Sequence, residues 1–377
     1  MSLTTKMTAT FNQKFNILKA LAMIAVLTGH TGIGPAEWFD MVSFSIPLFL
    51  FISGYFFYDC PTKVFICKKM KKLVLPFLAW NAFYGLFAWL LTRYGMIRFS
   101  QPLNFHNLFV EPFLLGHQFM FNLAAWFVGV LIVTQLAYFA LVKLTGNRLL
   151  PLGIVCTAGY FIGLYYGFQG YQSMGIYWLL FYRTAYCLMF FYLGYLYKQK
   201  LEAHDRFSTA RIMLLILING LIITSGISEQ KNYIFVMQFF VPGNYWVPLV
   251  SAGTGIYLCL QLAQAIQSIL SRRDLLSYIG ENSFSIMMHH MTFFWLFNTF
   301  LYYSCAGFLP FDHEKYLHEI YYRVQVFEPV MRYFYFSAAL LGPLAGVYVY
   351  EHLRERYLGK VLERISERIQ HGKKQEL

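Results

Sequence analysis

The sequence predicts an all-α, polytopic integral membrane protein of about ten transmembrane helices, with the N- and C-termini in the cytoplasm. Three observations predict it. Runs of about 20 apolar residues, the length that crosses a hydrocarbon core as a helix, recur from end to end. Of the 377 residues, 58% are hydrophobic and only 13% charged, too little polar surface for a water-soluble chain of this size. Basic residues gather in short segments between alternate spans, which is the pattern that orients a membrane protein. A transmembrane β-barrel would instead show period-two alternation in short segments, and none is seen. The net charge of +12 therefore sets orientation and does not point to nucleic acid.

The spans run roughly 15–34, 41–59, 73–92, 123–142, 149–167, 177–197, 211–228, 245–267, 282–303 and 332–350. Lys63, Lys68, Lys69, Lys71 and Lys72 follow the second span, and Lys143 and Arg148 the fourth. Lys198, Lys200, Arg206 and Arg211 flank the segment after the sixth, and Arg272 and Arg273 follow the eighth. All share a side with Lys6 and Lys14 and with the basic tail, which includes Lys373 and Lys374. The opposite side holds only Arg93, Arg98, Lys231, Lys315, Arg323 and Arg332. Residues 1–350 thus read as a single transmembrane domain and 351–377 as a cytoplasmic basic amphipathic tail. In that tail Arg356, Lys360, Arg364 and Arg368 recur every four residues and would meet anionic headgroups. The first span is expected to be retained and not cleaved as a signal, because Lys19 interrupts it and many spans follow. Six scattered Cys predict neither a disulfide framework nor a zinc site.

The first span carries the most pointed chemistry. Lys19 and His30 stand eleven positions apart in an otherwise apolar run. That spacing is about three helical turns, so both share one face, separated by roughly 16 Å of rise. Ionisable groups inside a membrane usually face a protein interior or a water-filled cavity. Thr28, Thr31 and Ser45 add polarity nearby. A neutral His is the natural base for taking a proton from a hydroxyl near pH 7, provided an acceptor orients it.

Other candidates follow along the chain. Lys68, Lys69, Lys71 and Lys72 put four ammonium groups within five residues. They either mark topology or hold a polyanion such as coenzyme A. Two loops on the opposite side, Arg93 to Asn122 and Ser304 to Met331, are longer than a turn needs. They form either a solvated surface or a mouth for an external substrate, the first with His106, Glu111 and His117. Arg183, inside the sixth span, either snorkels outwards or faces a central cavity to hold a polarised carbonyl. In the ninth span Ser283, Met287 and His290 share one face, while Asn282, Ser285 and His289 share the next. At most one of the adjacent His is expected in the core, and no metal is expected.

Together these residues resemble acyltransferase family 3, the bacterial membrane O-acyltransferases of envelope polysaccharides. Lys19 and His30 match the family's basic residue and His of span one. Leu48 to Tyr55, reading LFLFISGY, matches its span-two phrase. Lys69 and Lys72 before Pro76 match a basic pair, although the family more often has Arg. Trp126-Phe127 opens span four as in the family. Gly280, Ser283, Ile286 and His290 recur in the family's order, with Met287 where Tyr is usual. The Lys-for-Arg departures weaken bidentate phosphate binding.

The resemblance implies transfer of an acyl group, usually acetyl, from cytoplasmic acyl-coenzyme A to a hydroxyl of a lipid-linked saccharide or exported glycan. It places the protein in a bacterial inner membrane, with acyl-coenzyme A as co-substrate and no permanently bound cofactor. His30 and Lys19 would serve catalysis. Lys69, Lys72, Arg183, His290, Ser283 and Glu111 would bind substrate or donor. With no fused extracellular hydrolase-like domain, the membrane domain is expected to act alone or with a separate partner. The sequence does not fix an oligomeric state. Two rivals stay open. A secondary transporter predicts an internal repeat, which the two halves do not show. A silent partner of polysaccharide synthesis predicts that His30 tolerates substitution.

Overall fold

A computed structural model of the chain describes residues 12–33, 41–224, 245–270, 274–305, 307–324, 326–328 and 330–375. Among them every regular element is helical. Lys6, Lys231, Arg272 and Arg273 lie outside the described residues, as do the side chains of Lys360, Arg364, Arg368, Lys373 and Lys374.

Among the described residues each expected span is occupied by a helix over most of its length. The first two are α1 (Gln13–Thr31) and α2 (Met41–Tyr55). The third is α3 (Thr62–Lys69), which opens into a π turn at Met70–Val74 and closes again as α4 (Leu75–Arg93). A short α5 (Phe105–Phe109) lies in the following loop. Then come α6 (Trp126–Thr145), α7 (Leu149–Met174), α8 (Ile176–Leu196), α9 (Thr209–Thr224) and α10 (Trp246–Ile269). The short α11 (Leu275–Glu281) leads into α12 (Ser283–Cys305), and α13 (His313–His318) precedes α14 (Val330–Gln375). The last helix passes position 350 without a break.

Among the described residues six helical stretches are long and apolar enough to cross a membrane: Thr62–Arg93, Leu123–Thr145, Leu149–Tyr166, Tyr177–His204, Trp246–Ile269 and Val330–Tyr357. Four of the ten expected spans are not among them: α2 and α9 are apolar but shorter, and α1 and α12 are more polar. Lys14, Asn16, Lys19 and His30 make α1 more polar, and His289, His290 and Asn298 do the same for α12. The polar groups His290 and Asn298 of α12 and Asn16 of α1 are buried against protein.

α1 is the central pillar. It packs against α2, α10, α11, α12 and α14. Phe15, Leu18, Ala22 and Ala25 belong to one apolar core with α2, α8 and α10. Ala20, Met23 and Leu27 belong to a second core with α4, α12 and α14. Its apolar side chains therefore face protein on both sides, which gives its few polar groups protein surroundings.

Small residues bring backbones together. A Cβ built on Gly54 would lie 1.9 Å from the Phe191 carbonyl oxygen, and one on Gly194 would lie 1.9 Å from that of Phe51. The backbones of α2 and α8 therefore touch, the usual way helices associate in lipid. This contact accounts for the Gly in the ISGY phrase.

The connections sort to two ends of the bundle. At one end the Lys14 ammonium meets Tyr197 and Glu202, Tyr55 donates to Glu202, and Lys143 pairs with Asp59. At the other end Arg332 donates to the Gly32 carbonyl, and the Arg98 amide donates to the Leu317 carbonyl. The first is the end that carries the basic segments.

Candidate functional site

The fold brings two histidines together. His30, in the last turn of α1, and His290, in the second turn of α12, have ring centroids 5.1 Å apart and planes inclined by 41°. His290 is fully buried. Its Nδ1 lies 2.9 Å from the Ile286 carbonyl, which can only accept, so Nδ1 carries the proton. Nε2 is therefore a lone-pair acceptor, and it is buried without a hydrogen-bond partner among the described residues. His30 is half-buried and makes no hydrogen bond among those residues. Its ring lies 5.9 Å from Tyr321, nearly parallel to it.

A polar cavity of about 430 Å³ opens beside His30. Thr31 and Gly32, the residues that follow it, form one wall, and Tyr321, Tyr322, Arg323 and Arg332 face them. The long loop after α12 thus forms most of the wall of this cavity.

The adjacent histidines divide their work. His290 faces α1, whereas His289 Nδ1 lies 2.7 Å from the Tyr84 hydroxyl and its ring packs 4.3 Å from Trp80, both on α4. Thr28 and Thr31 do not orient His30. Their hydroxyls donate to Ala25 and Leu27 carbonyls of their own helix.

Lys19 lies elsewhere. Its ammonium donates to Asn16, 3.3 Å away, and sits over the Phe56 ring. Asn16 in turn donates to Glu281, and a Cβ on Gly280 would lie 1.8 Å from the Asn16 carbonyl oxygen. Lys19 and Gly280 therefore belong to the α1–α11 contact, towards the basic end. Ser283 starts α12, seven positions before His290 and so about 10 Å along the helix from it. The structure does not bring Lys19 or Ser283 to the histidine pair.

Arg183 does not snorkel. It is fully buried, donates to the Leu114 carbonyl at 2.8 Å and lies over the Trp126 ring. Trp126 of α6, a piece of the family pattern, and Arg183 of α8, a separate candidate, meet there. The loop that Arg183 holds dips into the bundle. Gln118 and Asn122 both donate to Asn81 of α4, which itself donates to the Leu108 carbonyl. Irregular backbone at such depth survives only where side chains satisfy it. Glu111 belongs to this loop, paired with His106 at 3.2 Å.

Lys69 is half-buried over the Phe65 ring, and Lys72 is exposed at the π turn. Neither lines the cavity beside His30. Among the described residues no cluster of three or more His, Cys, Asp or Glu could hold a metal. Tyr321 and Arg323 carry no sequence signal, because an irregular segment has no periodicity to read.

The family model described as the acyltransferase domain, acyltransferase 3, matches residues 12–350, nearly the whole chain. The chain belongs to the acyltransferase 3 family. No curated protein and no solved structure matches it. Membership makes the protein an acyltransferase that moves groups other than aminoacyl groups, and its helices make it a multi-pass membrane protein. In this acyltransferase the LFLFISGY phrase supplies the α2–α8 crossing, and the final Gly, Ser, Ile and His supply the α11–α12 elbow and the buried His290.

Proposed function

We propose that the protein is a ten-span membrane O-acyltransferase of the bacterial inner membrane. It moves an acyl group, expected to be acetyl, from cytoplasmic acyl-coenzyme A to a hydroxyl of an envelope or exported polysaccharide. The observation that carries this reading is the His30–His290 pair behind the wall of the polar cavity, which Thr31 and Tyr321, the neighbours of His30, form. The transmembrane domain is residues 1–350, with 351–377 as the cytoplasmic tail. Donor phosphates meet Lys69 and Lys72 at the basic end, and the glycan enters through the cavity at the other. Lys19 lies between the two, on the donor's path.

His30 takes the proton from the acceptor hydroxyl as its oxygen attacks the thioester carbonyl carbon. The carbon–sulfur bond breaks, and coenzyme A leaves as a thiolate that takes up the proton His30 held. While His30 is protonated it has two N–H donors, and His290 offers an acceptor whose tautomer is already set. General-base help of this kind is worth about 10²–10⁴-fold in rate.

The test is purified protein with labelled acetyl-coenzyme A and a crude envelope glycan. His30→Gln should fold and bind donor but lose label transfer by about 10²–10⁴-fold. Near-normal turnover of His30→Gln would make His30 structural and pass the base role to His290.

A further inference from the structure

Arg323 stands out among the groups that line the cavity beside His30. Its neighbours there are paired. Arg332 is bound to Glu328 and to the Gly32 carbonyl, and Lys315 lies 3.8 Å from Asp312. Arg323 is half-buried and makes no hydrogen bond or ion pair among the described residues. A guanidinium is a rigid fork of five donors, and the carboxylate that attracts it, Glu328, is already bound to Arg332, so those donors stay open to the cavity. Such a group at the wall of a cavity is a binding group whose anion comes with the ligand.

The other walls narrow the ligand's chemistry. Tyr321 offers an aromatic face beside His30, and Asp312 and Glu319 offer carboxylate oxygens. Carboxylates accept hydrogen bonds from hydroxyls, and an aromatic ring takes the apolar face of a ring-shaped ligand. The volume of about 430 Å³ lies within the range of small-molecule sites.

We propose that this cavity binds an acidic saccharide, with Arg323 holding the carboxylate or phosphate of the sugar whose hydroxyl faces His30. This names the acceptor class of the site proposed above and rests on that reading. Tyr321 positions the ring, and Arg323 sets specificity. The guanidinium takes no part in proton transfer.

The test measures binding without any acyl donor, so that it does not depend on transfer. The full chain carrying His30→Gln, in lipid nanodiscs, is titrated calorimetrically with methyl glucuronide, glucose 1-phosphate and methyl glucoside. A charge-assisted contact predicts that at least one acidic sugar binds about tenfold or more tighter than methyl glucoside. Arg323→Gln should abolish that preference, and Arg323→Lys should restore part of it. The melting temperature of each variant checks that the fold persists. Equal binding of acidic and neutral sugars, no binding of either acidic sugar, or a preference that survives Arg323→Gln would overturn the proposal. Acetyl transfer to a glycan with no dependence on Arg323 would leave the acyltransferase reading standing and remove only this one. A preference for glucuronide over the phosphate, or the reverse, identifies which anion the acceptor carries.

Discussion

Arg183 has no exposed surface, and a guanidinium leaves water only where polar partners replace it. The Leu114 carbonyl and the Trp126 face supply two of them. His117 lies in the same loop, and its imidazole is held down to about 4 by burial first and by the Arg183 charge second. The consequence for stability has a definite sign. As pH falls below 6.5, the unfolded chain takes up a proton at this site while the folded one stays neutral until about 4. Acidification across that window therefore favours unfolding. We predict that the melting temperature in detergent falls as pH drops from 6.5 towards 4, and that His117→Gln flattens part of the fall. An identical pH slope in the variant would remove His117 from the account.

The helices are held less by water-driven burial than by close fit. Lipid tails are as apolar as the side chains, so α2 and α8 gain by letting their backbones touch at Gly54 and Gly194. One added methyl tests this. Gly54→Ala would place a carbon 1.9 Å from a backbone oxygen, so the helices must part. At Gly253 of α10 the same carbon meets nothing within 4 Å. We predict that Gly54→Ala costs about 1–3 kcal/mol, the scale of overpacking, while Gly253→Ala is neutral or slightly stabilising. Thermal melting of the two variants side by side decides it. Equal melting temperatures would mean that the crossing is looser than the geometry states. The α2 phrase was legible in the sequence as a pattern, but its reason was not, because the partner carbonyl belongs to a helix about 140 residues later.

At the scale of the whole molecule, the connections fall into two sets at opposite ends, as alternating antiparallel spans require. Basic residues concentrate at the end where Lys14, Glu202 and the Lys143–Asp59 pair gather. By the positive-inside rule we predict that this end is cytoplasmic. Cys67 is exposed at that end, and Asp312 lines the cavity at the other. We predict that an impermeant thiol reagent labels Asp312→Cys in intact cells and reaches Cys67 only after permeabilisation. Labelling in the reverse order would invert the orientation and move the cavity to the cytoplasm.

The sequence by itself determined the helical membrane class, the rough places of the long helices and the family. Apolar runs, basic segments and short motifs are local properties, and each survives being read along one dimension. It also marked His30, because a His in an apolar helix is conspicuous wherever it points. Tertiary structure alone decided which marked residues meet. His30 and His290 are 260 positions apart, and only the shared packing of α1 and α12 sets their rings 5.1 Å from each other. Other contacts between helices and loops set His289 of α12 against Tyr84 of α4 and Arg183 against Leu114, while Lys19 stays with Asn16 of its own helix. Periodicity assigns a residue to a face of its own helix, but the neighbour opposite that face depends on how all the helices close around one another.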